Sequence, residues 1–167
     1  LEKIKSLEPA FLENGTITPA TSSPISIGAA AILITSKNFA ENNNIPIRAK
    51  IKGRAVAGVD WKKMGKGPLP ATEKVLDNTD LSIENIDIIE LNEAFAAQAL
   101  YVIENGKWDK SKINLNGGAI ALGHPLGCSG ARIATTLLNV MEQHDAKLGL
   151  ATMCIGTGQG IATILER

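Results

Sequence analysis

The chain has 167 residues, which suits one domain, or one domain and a fragment of another, and its 44% hydrophobic content is enough for a packed core. Its 17 basic residues balance 17 acidic ones, so no net field attracts nucleic acid or an anionic membrane, and we expect neither as a partner. The longest apolar run, residues 27–34, is too short to cross a bilayer, and no secretory signal pattern precedes it. We expect a cytoplasmic protein whose two cysteines are free thiols.

The first 44 residues are predicted to form a segment separate from the rest of the chain. The chain begins with Leu1 rather than methionine, within a helix-like pattern at residues 1–14, so we expect a piece of a longer protein. A buried strand is predicted at residues 29–34 (AAAILI), followed by a helix with Ser36 as its N-cap. That strand has no sequence-adjacent partner, which favours a sheet upstream of this chain. The polar stretch NNNIPIR predicts a boundary near Asn44.

Strand and helix patterns alternate from residue 45 onward. Strands are predicted at 48–59, 86–92, 112–117, 149–156 and 160–166, and helices at 71–78, 93–105 and 129–143. Strands separated by helices indicate a layered α/β fold with right-handed crossovers. The last two strands are separated only by GTGQ, so they should pair antiparallel as a hairpin. We expect a mixed, mostly parallel sheet of five strands.

Three chemically capable residues follow predicted strands. Asn92 ends the strand at 86–92, His124 comes after the strand at 112–117 and a glycine-rich stretch, and Cys154 lies near the end of the strand at 149–156. Functional residues of ligand-binding α/β sheets gather at the carboxyl ends of strands. The sequence therefore predicts that these three residues share one rim of the sheet.

His124 lies in the stretch GGAIALGHPLGCSGAR, residues 117–132, whose glycines let the backbone approach a ligand. The glycine spacing departs from the dinucleotide fingerprint G-x-G-x-x-G, and no G-K-[ST] follows, which disfavours a phosphate site. Zinc could use His124, Cys128 and Cys154, but no C-x2-C pair supports it, and we expect no metal. A histidine held only by loop hydrogen bonds is the structural alternative.

Three further positions each admit a structural and a chemical interpretation. Cys154 precedes glycines whose amides can turn toward a developing oxyanion, or it is simply a small buried side chain. Asn92 could act beside His124 or cap the following helix. The hydroxyls of residues 21–26 (TSSPIS) could contact a ligand amide or stabilise a turn. The residues alone leave these alternatives open.

Three spaced motifs together resemble the C-terminal part of the thiolase family. They are NEAFA at 92–96, GGAIALGHPLGCSGAR at 117–132 and CIGTG at 154–158, and the stretches GTITPATSS and MGKGPLPA also fit. The resemblance covers nearly the whole chain. It implies that residues 1–44 are the remnant of the thiolase N-terminal half, with a helix, a loop on the coenzyme A side, and the last strand and helix. Residues 45–167 would be the C-terminal domain, with α-β-α layers.

The resemblance also implies a role for each candidate residue. Thiolases join or split acyl-CoA thioesters by Claisen chemistry through an acyl-enzyme on a cysteine, without a metal or redox cofactor. His124 would activate that nucleophile, and Asn92 would hold a water of the oxyanion site. Cys154 would be the acid/base that moves the α-proton, and Gly156 would offer its amide to a second oxyanion. Ser23 would contact the pantetheine arm of coenzyme A, although the residues that follow it, PISIG, depart from the usual family pattern.

The chain differs from the family in one respect that bears on activity. The nucleophilic cysteine of thiolases lies in an N-terminal segment that this chain does not contain, and Cys128 occupies a position where cysteine is a normal family variant. We therefore expect the C-terminal part of an acetyl-CoA acetyltransferase or 3-ketoacyl-CoA thiolase, which needs an N-terminal half as partner and is a homo-oligomer when complete. The alternatives are a truncated, non-catalytic coenzyme A-binding module and a structural partner that pairs through its sheet.

Overall fold

The structure, a computed structural model, describes residues 2–167. The helices are α1 (Glu2–Lys5), α2 (Lys37–Asn42), α3 (Pro68–Asp77), α4 (Ala96–Gly106), α5 (Ala119–Leu122) and α6 (Ser129–Gln143). The strands are β1 (Lys50–Gly58), β2 (Ile88–Leu91), β3 (Leu148–Ile155) and β4 (Gln159–Glu166), and short 3₁₀ helices span Trp61–Lys66, Ile83–Asn85 and Lys110–Lys112. Within residues 2–167, no helix combines the length and apolarity needed to cross a membrane.

The strands form one mixed sheet in the order β1-β4-β3-β2. β3 and β4 pair antiparallel, which confirms the predicted hairpin, and β4 also pairs antiparallel with β1. Only β2 and β3 are parallel. The α/β class and the mixed sheet are confirmed, but the predicted five strands and mostly parallel order are wrong. The tight β3–β4 turn forces an antiparallel pair, and β1 then adds to β4 rather than to a parallel neighbour.

The missing fifth strand is the segment predicted at residues 112–117. It begins instead in the 3₁₀ helix Lys110–Lys112, where the Asp109 side chain accepts the Ser111 N–H at 2.9 Å. A single bridge then joins Ile113 to Ile89 of β2. Beyond this bridge the side chain of Asn114 replaces a strand backbone. Its Oδ1 accepts the Leu91 N–H at 2.9 Å, and its Nδ2 donates to the Leu91 C=O at 2.8 Å. Hydrogen bonds from a side chain therefore replace the next pair of backbone hydrogen bonds that a fifth strand would have made.

Helices cover both faces of the sheet, which gives the expected α-β-α layers. On one face α6 presents an apolar stripe at helical spacing to β2, β3 and β4; the buried residues of α6 in it are Ile133, Leu137, Val140 and Met141. On the other face α3 and α4 bury Val75 and Val102 against Ile89, Leu150 and Ile164 of the sheet. Each such large side chain contributes about 1.5–3 kcal/mol when fully buried. The two cores hold the carboxyl end of β2 between α4 and α6.

The N-terminal segment lies outside these layers. The strand predicted at 29–34 is wrong: these residues have no regular secondary structure, and Leu33 and Ile34 are 73% and 69% exposed. A strand needs a ladder partner, and residues 2–167 offer none to this stretch. The following helix is confirmed, because the Ser36 hydroxyl accepts the Phe39 N–H and caps α2. The helix expected at residues 1–14 is shorter and forms only α1; Leu1 lies outside the described residues.

Candidate active site

Asn92 lies at the carboxyl end of β2, where the chain turns toward α4. Its backbone N–H donates to the Thr152 C=O of β3 at 3.0 Å, which extends the parallel pairing by one residue. The side chain is 1% exposed, and Phe95, rather than Asn92, occupies the N-cap position of α4. The structure therefore gives no support to the interpretation of Asn92 as a helix cap. The Asn92 amide turns toward His124 instead.

His124 lies in the loop between α5 and α6, so it follows a short helix rather than the strand that the sequence predicts. Gly123 directly before it has φ +106°, a left-handed conformation that favours glycine. A Cβ at Gly123 would also lie 2.5 Å from the Ser26 hydroxyl oxygen. The left-handed conformation is the feature that favours glycine here, and the residue that follows it places its imidazole beside Asn92.

Both ring nitrogens of His124 have a partner. Nε2 lies 3.3 Å from the amide nitrogen of Asn92, and Nδ1 lies 2.6 Å from the hydroxyl of the buried Ser129. The Ser129 hydroxyl donates to the Pro125 C=O at 3.1 Å, so it accepts from Nδ1–H. An amide nitrogen only donates, so in this orientation of Asn92 the proton is on Nδ1 and Nε2 carries the lone pair. The imidazole is fixed with its basic nitrogen toward Asn92.

The surroundings of His124 favour its neutral form. Burial lowers the pKa of the imidazole below its ordinary value, and the positive charge of Arg132 lowers it further. The ring is therefore unprotonated at neutral pH. A neutral imidazole with a fixed Nε2 lone pair can accept a proton from a thiol or from a substrate carbon.

Cys154 lies near the end of β3, two residues beyond the Thr152 carbonyl that binds Asn92. It is 5% exposed and pairs with Gly160 across the hairpin. Burial raises the pKa of its thiol, so the protonated form persists at neutral pH. No side-chain hydrogen bond joins Cys154 to Asn92 or His124 in the described part of the chain. The structure brings Asn92 and His124 into contact and places Cys154 on the adjacent strand.

Gly156 follows Cys154 at the exposed start of the β3–β4 turn. A Cβ at Gly156 would meet nothing within 4 Å, so no neighbouring group covers this side of its backbone. The turn is set by the next two residues, Thr157 and Gly158, which both have positive φ. The Gly156 backbone is therefore open at the same end of β3 that carries Cys154.

The TSSPIS stretch packs against the turn that follows Asn92. The Thr21 C=O accepts the Ala96 N–H at 2.8 Å, and the Ala94 C=O accepts the Ser23 N–H at 3.0 Å. The Ser23 hydroxyl also donates to the Ala94 C=O at 3.1 Å. These bonds place Ser23 beside the NEAFA motif, and they give the segment the structural role that its composition left open.

Two groups that the sequence interpretation did not single out hold this site together. The first is Ser129, which fixes the His124 tautomer. The second is Glu93, whose carboxylate accepts the Ile120 N–H of α5 at 3.1 Å and an Asn114 amide hydrogen at 3.2 Å. A Cβ at Gly118 would overlap the Glu93 carboxylate in this position, so a larger residue there would displace the carboxylate from its hydrogen bonds. The glycine directly before α5 was the available signal, since it marks a close approach.

The Cys128 side chain is buried and lies close to Gly28. It is 7% exposed and precedes α6, and a Cβ at Gly28 would lie 3.6 Å from its sulfur atom. Within residues 2–167, no group of three or more His, Cys, Asp and Glu side chains is arranged to hold a metal ion. The zinc alternative through His124, Cys128 and Cys154 therefore gains no support from the geometry.

Comparison with known protein families gives two matches along the chain. The family model described as thiolase, C-terminal domain, matches residues 45–167, and the one described as thiolase, N-terminal domain, matches residues 1–38. The chain belongs to the thiolase family. Membership in this family explains both the motifs that resemble thiolases and the α-β-α layers that carry Asn92, His124 and Cys154.

The chain is similar to several proteins named as thiolases or acetyl-CoA acetyltransferases, but it spans less than half of each. It is 60% identical to the 3-ketoacyl-CoA thiolase of Idiomarina loihiensis over 99% of this chain and 44% of the relative, and 60% identical to that of Vibrio vulnificus over 100% and 44%. The Bacillus anthracis acetyl-CoA acetyltransferase matches with a TM-score of 0.97 at 41% identity, over 99% of this chain and 42% of that one. The human mitochondrial 3-ketoacyl-CoA thiolase, solved in complex with CoA, matches with a TM-score of 0.91 at 38% identity and the same coverage.

Proposed function

We propose that this chain is the C-terminal part of a thiolase that condenses two acetyl-CoA molecules or cleaves 3-ketoacyl-CoA with coenzyme A. The observation that carries the proposal is the contact of Asn92 with His124 Nε2, in a ring whose other nitrogen is fixed by Ser129. This arrangement presents an unprotonated nitrogen beside a buried amide donor. A thioester reaction needs both, a base for the thiol nucleophile and a donor for the oxyanion.

In the proposed mechanism, His124 Nε2 takes the proton of a nucleophilic thiol supplied by the N-terminal half. The resulting thiolate attacks the 3-keto carbon of 3-ketoacyl-CoA, and the negative charge moves to the oxygen of that keto group. Asn92 helps to stabilise this oxyanion through a held water, and the Gly156 amide serves the enolate oxygen of the departing acetyl-CoA. When the carbon–carbon bond breaks, the electron pair stays on the departing carbon.

Cys154 provides the proton that this carbon needs. Its thiol is protonated at neutral pH because burial raises its pKa, so in cleavage it gives the proton to the departing α-carbon. In condensation the coenzyme A thiolate that leaves in the acylation step takes the Cys154 proton, and the resulting Cys154 thiolate removes the α-proton of the second acetyl-CoA. The acyl group remains on the nucleophilic cysteine until coenzyme A or the second acetyl-CoA takes it. Cys154 is thus a proton carrier and not the acylated residue.

Coenzyme A thioesters are the proposed substrates, and Ser23 is the proposed contact for the pantetheine arm. The human structural relative contains CoA, which supports this substrate class for the family. The Ser23 hydroxyl donates its hydrogen to the Ala94 C=O, and its oxygen can still accept a hydrogen bond from a pantetheine amide. The proposed chemistry uses no metal or redox cofactor.

The N-terminal half is the proposed partner, and residues 1–44 are the proposed remnant that joins it. The apolar residues at 29–34 are exposed, including Leu33 and Ile34, and an upstream strand would cover them and complete a ladder. The matched thiolases are more than twice as long as this chain, which agrees with a missing half. A homo-oligomeric complete enzyme and a cytoplasmic location stay predictions.

The proposed division of the active site predicts that thiolysis requires both halves. We expect no measurable cleavage of acetoacetyl-CoA by the 167-residue chain alone, because its two cysteines are buried and the nucleophile is absent. We expect activity when the chain is fused behind the segment of the Idiomarina loihiensis 3-ketoacyl-CoA thiolase that it does not cover. The loss of acetoacetyl-CoA absorbance in the presence of coenzyme A measures both. An inactive but folded fusion would favour the non-catalytic module.

A further inference from the structure

The Glu93 carboxylate connects the end of β2 to α5, the short helix that leads into His124. Its Oε2 atom accepts the Ile120 N–H at 3.1 Å, and its Oε1 atom accepts an Asn114 amide hydrogen at 3.2 Å. Within residues 2–167, the bond from Ile120 is the only hydrogen bond that joins residues 118–123 to the end of β2. The position of α5 relative to β2 therefore depends on this one carboxylate.

The two ends of this connection adjoin the two residues of the candidate site. Glu93 directly follows Asn92 in the chain, and α5 is separated from His124 only by Gly123. The helix is a single turn in which the Gly123 N–H donates to the Ala119 C=O at 2.8 Å. A shift of α5 therefore moves the backbone that carries the imidazole. The Asn92 amide, on the other side, stays with β2.

Both partners of Glu93 are hydrogen-bond donors whose direction is fixed. Ile120 offers a backbone N–H. The Asn114 amide cannot reverse, because its Oδ1 accepts the Leu91 N–H while its Nδ2 donates to the Leu91 C=O. A carboxylate presents an acceptor to each donor, whereas a glutamine amide has one oxygen and one NH₂ group. A glutamine of the same shape would thus leave one donor facing another donor in either orientation.

Gly118 leaves the space that the carboxylate occupies. A Cβ at this position would overlap the carboxyl carbon and both oxygens of Glu93. The backbone of Gly118 has φ −105° and ψ −176°, an extended conformation that alanine also adopts. Glycine is therefore required here for space and not for backbone conformation. Gly118→Ala would displace the end of a flexible side chain and remove its two hydrogen bonds without straining the backbone.

We propose that Glu93 is a positioning residue for the Asn92–His124 pair: its carboxylate ties the end of β2 to α5 and so sets the distance between the Asn92 amide and His124 Nε2. The inference rests on the proposed function only in treating this pair as catalytic. Glu93 is not itself the base or the oxyanion donor, since both of its oxygens are turned to Ile120 and Asn114. A misplacement of reacting groups by about 1 Å can lower a rate by about 10²-fold.

NMR of the full 167-residue chain tests the distance without turnover. The amide nitrogen of Asn92 lies 3.3 Å from His124 Nε2, so the amide hydrogens lie close to the ring hydrogens beside that nitrogen. We expect a nuclear Overhauser effect between them in the wild type. Glu93→Gln and Gly118→Ala should each weaken or remove it, while circular dichroism shows an unchanged fold.

Two substitutions of the same kinds are the controls. Glu104→Gln changes an exposed glutamate of α4, and Gly58→Ala adds a Cβ that meets nothing within 4 Å. Both should retain the Overhauser effect of the wild type. They separate the loss of this carboxylate from the general effect of a Glu→Gln or Gly→Ala change.

The fusion enzyme provides a kinetic test. Glu93→Gln and Gly118→Ala should each lower kcat for acetoacetyl-CoA thiolysis by about 10- to 100-fold. The KM for coenzyme A should change little, because Ser23 keeps its hydrogen bonds to Ala94. The double variant should lose no more than the weaker single variant, since both substitutions act through the same carboxylate.

Two results would overturn the proposal. One is a wild-type Overhauser effect in folded Glu93→Gln and Gly118→Ala with a lower Tm alone, which would show that the carboxylate only stabilises the fold. The other is a double variant whose kcat loss is the product of the two single losses. If one variant unfolds, the other still decides. A lost Overhauser effect with unchanged kcat would uphold the inference about distance and refute the proposed function, so the two failures are distinguishable.

Discussion

His124→Ala and Cys154→Ser are each expected to lower kcat for acetoacetyl-CoA thiolysis by about 10³-fold or more in the fusion enzyme. The alanine variant removes the Nε2 lone pair that accepts the nucleophile proton, and the contact that orients the Asn92 amide. The serine variant replaces the proton carrier by a hydroxyl, which is a far weaker acid than a thiol. Steady-state rates at pH 8, with circular dichroism to confirm folding, measure both effects.

Matched substitutions at the two remaining residues of the same types are the controls. His144→Ala changes an exposed histidine at the C-cap of α6, and Cys128→Ser changes a buried cysteine that has no role in the proposed mechanism. Both should retain most of the activity. Near-wild-type thiolysis in folded His124→Ala or Cys154→Ser would refute the proposed roles. A loss in Cys128→Ser equal to that in Cys154→Ser would show that the substitution acts through packing.

Gly160→Ala is expected to destabilise the chain by about 2–3 kcal/mol, which lowers Tm by roughly 4–12 °C. The Cβ would overlap the carbonyl carbon and oxygen of Gly67, and backbone atoms cannot rotate away as a side chain can. Gly160 pairs with Cys154, so the β4 shift that relieves the overlap would also move the Cys154 thiol. Thermal unfolding followed by circular dichroism measures the change.

Gly58→Ala is the matched control for Gly160→Ala. Gly58 lies at the end of β1 opposite Gln159, the residue next to Gly160, and a Cβ there would meet nothing within 4 Å. The substitution should leave Tm unchanged or raise it slightly, because alanine restricts the unfolded chain. If Gly58→Ala lowers Tm as much as Gly160→Ala does, the destabilisation comes from strand conformation and not from the contact with Gly67.

Local patterns predicted much of the fold because each element carries its own signal. The period of α6, the short β3–β4 turn and the Ser36 cap of α2 all depend on neighbouring residues, and all three are confirmed. The errors arose where a distant partner decides the outcome. The segment at 29–34 has strand composition but no ladder partner here, and the segment at 112–117 loses its ladder to the Asn114 side chain.

The sequence indicated candidate site residues but not the hydrogen bonds between them. Residue type and position after strands indicated Asn92, His124 and Cys154 as candidates, and in the structure the Asn92 amide contacts His124. Nothing in the periodicity of α6 indicates that Ser129 turns its hydroxyl to the imidazole. Glu90 of β2 and Arg132 of α6 lie 3.9 Å apart although they are 42 residues apart in the sequence. Such pairs depend on tertiary packing, which one sequence does not specify.

The location of the acyl group tests the central claim most directly, namely that this chain holds the base and the proton carrier but not the nucleophile. The fusion enzyme and the chain alone would be incubated with acetyl-CoA, quenched in acid and mapped by peptide mass spectrometry. We expect an acetyl group on a cysteine of the upstream segment in the fusion enzyme, and none on Cys154 or Cys128 in either protein. An acetyl group on Cys154 of the chain alone would contradict the claim.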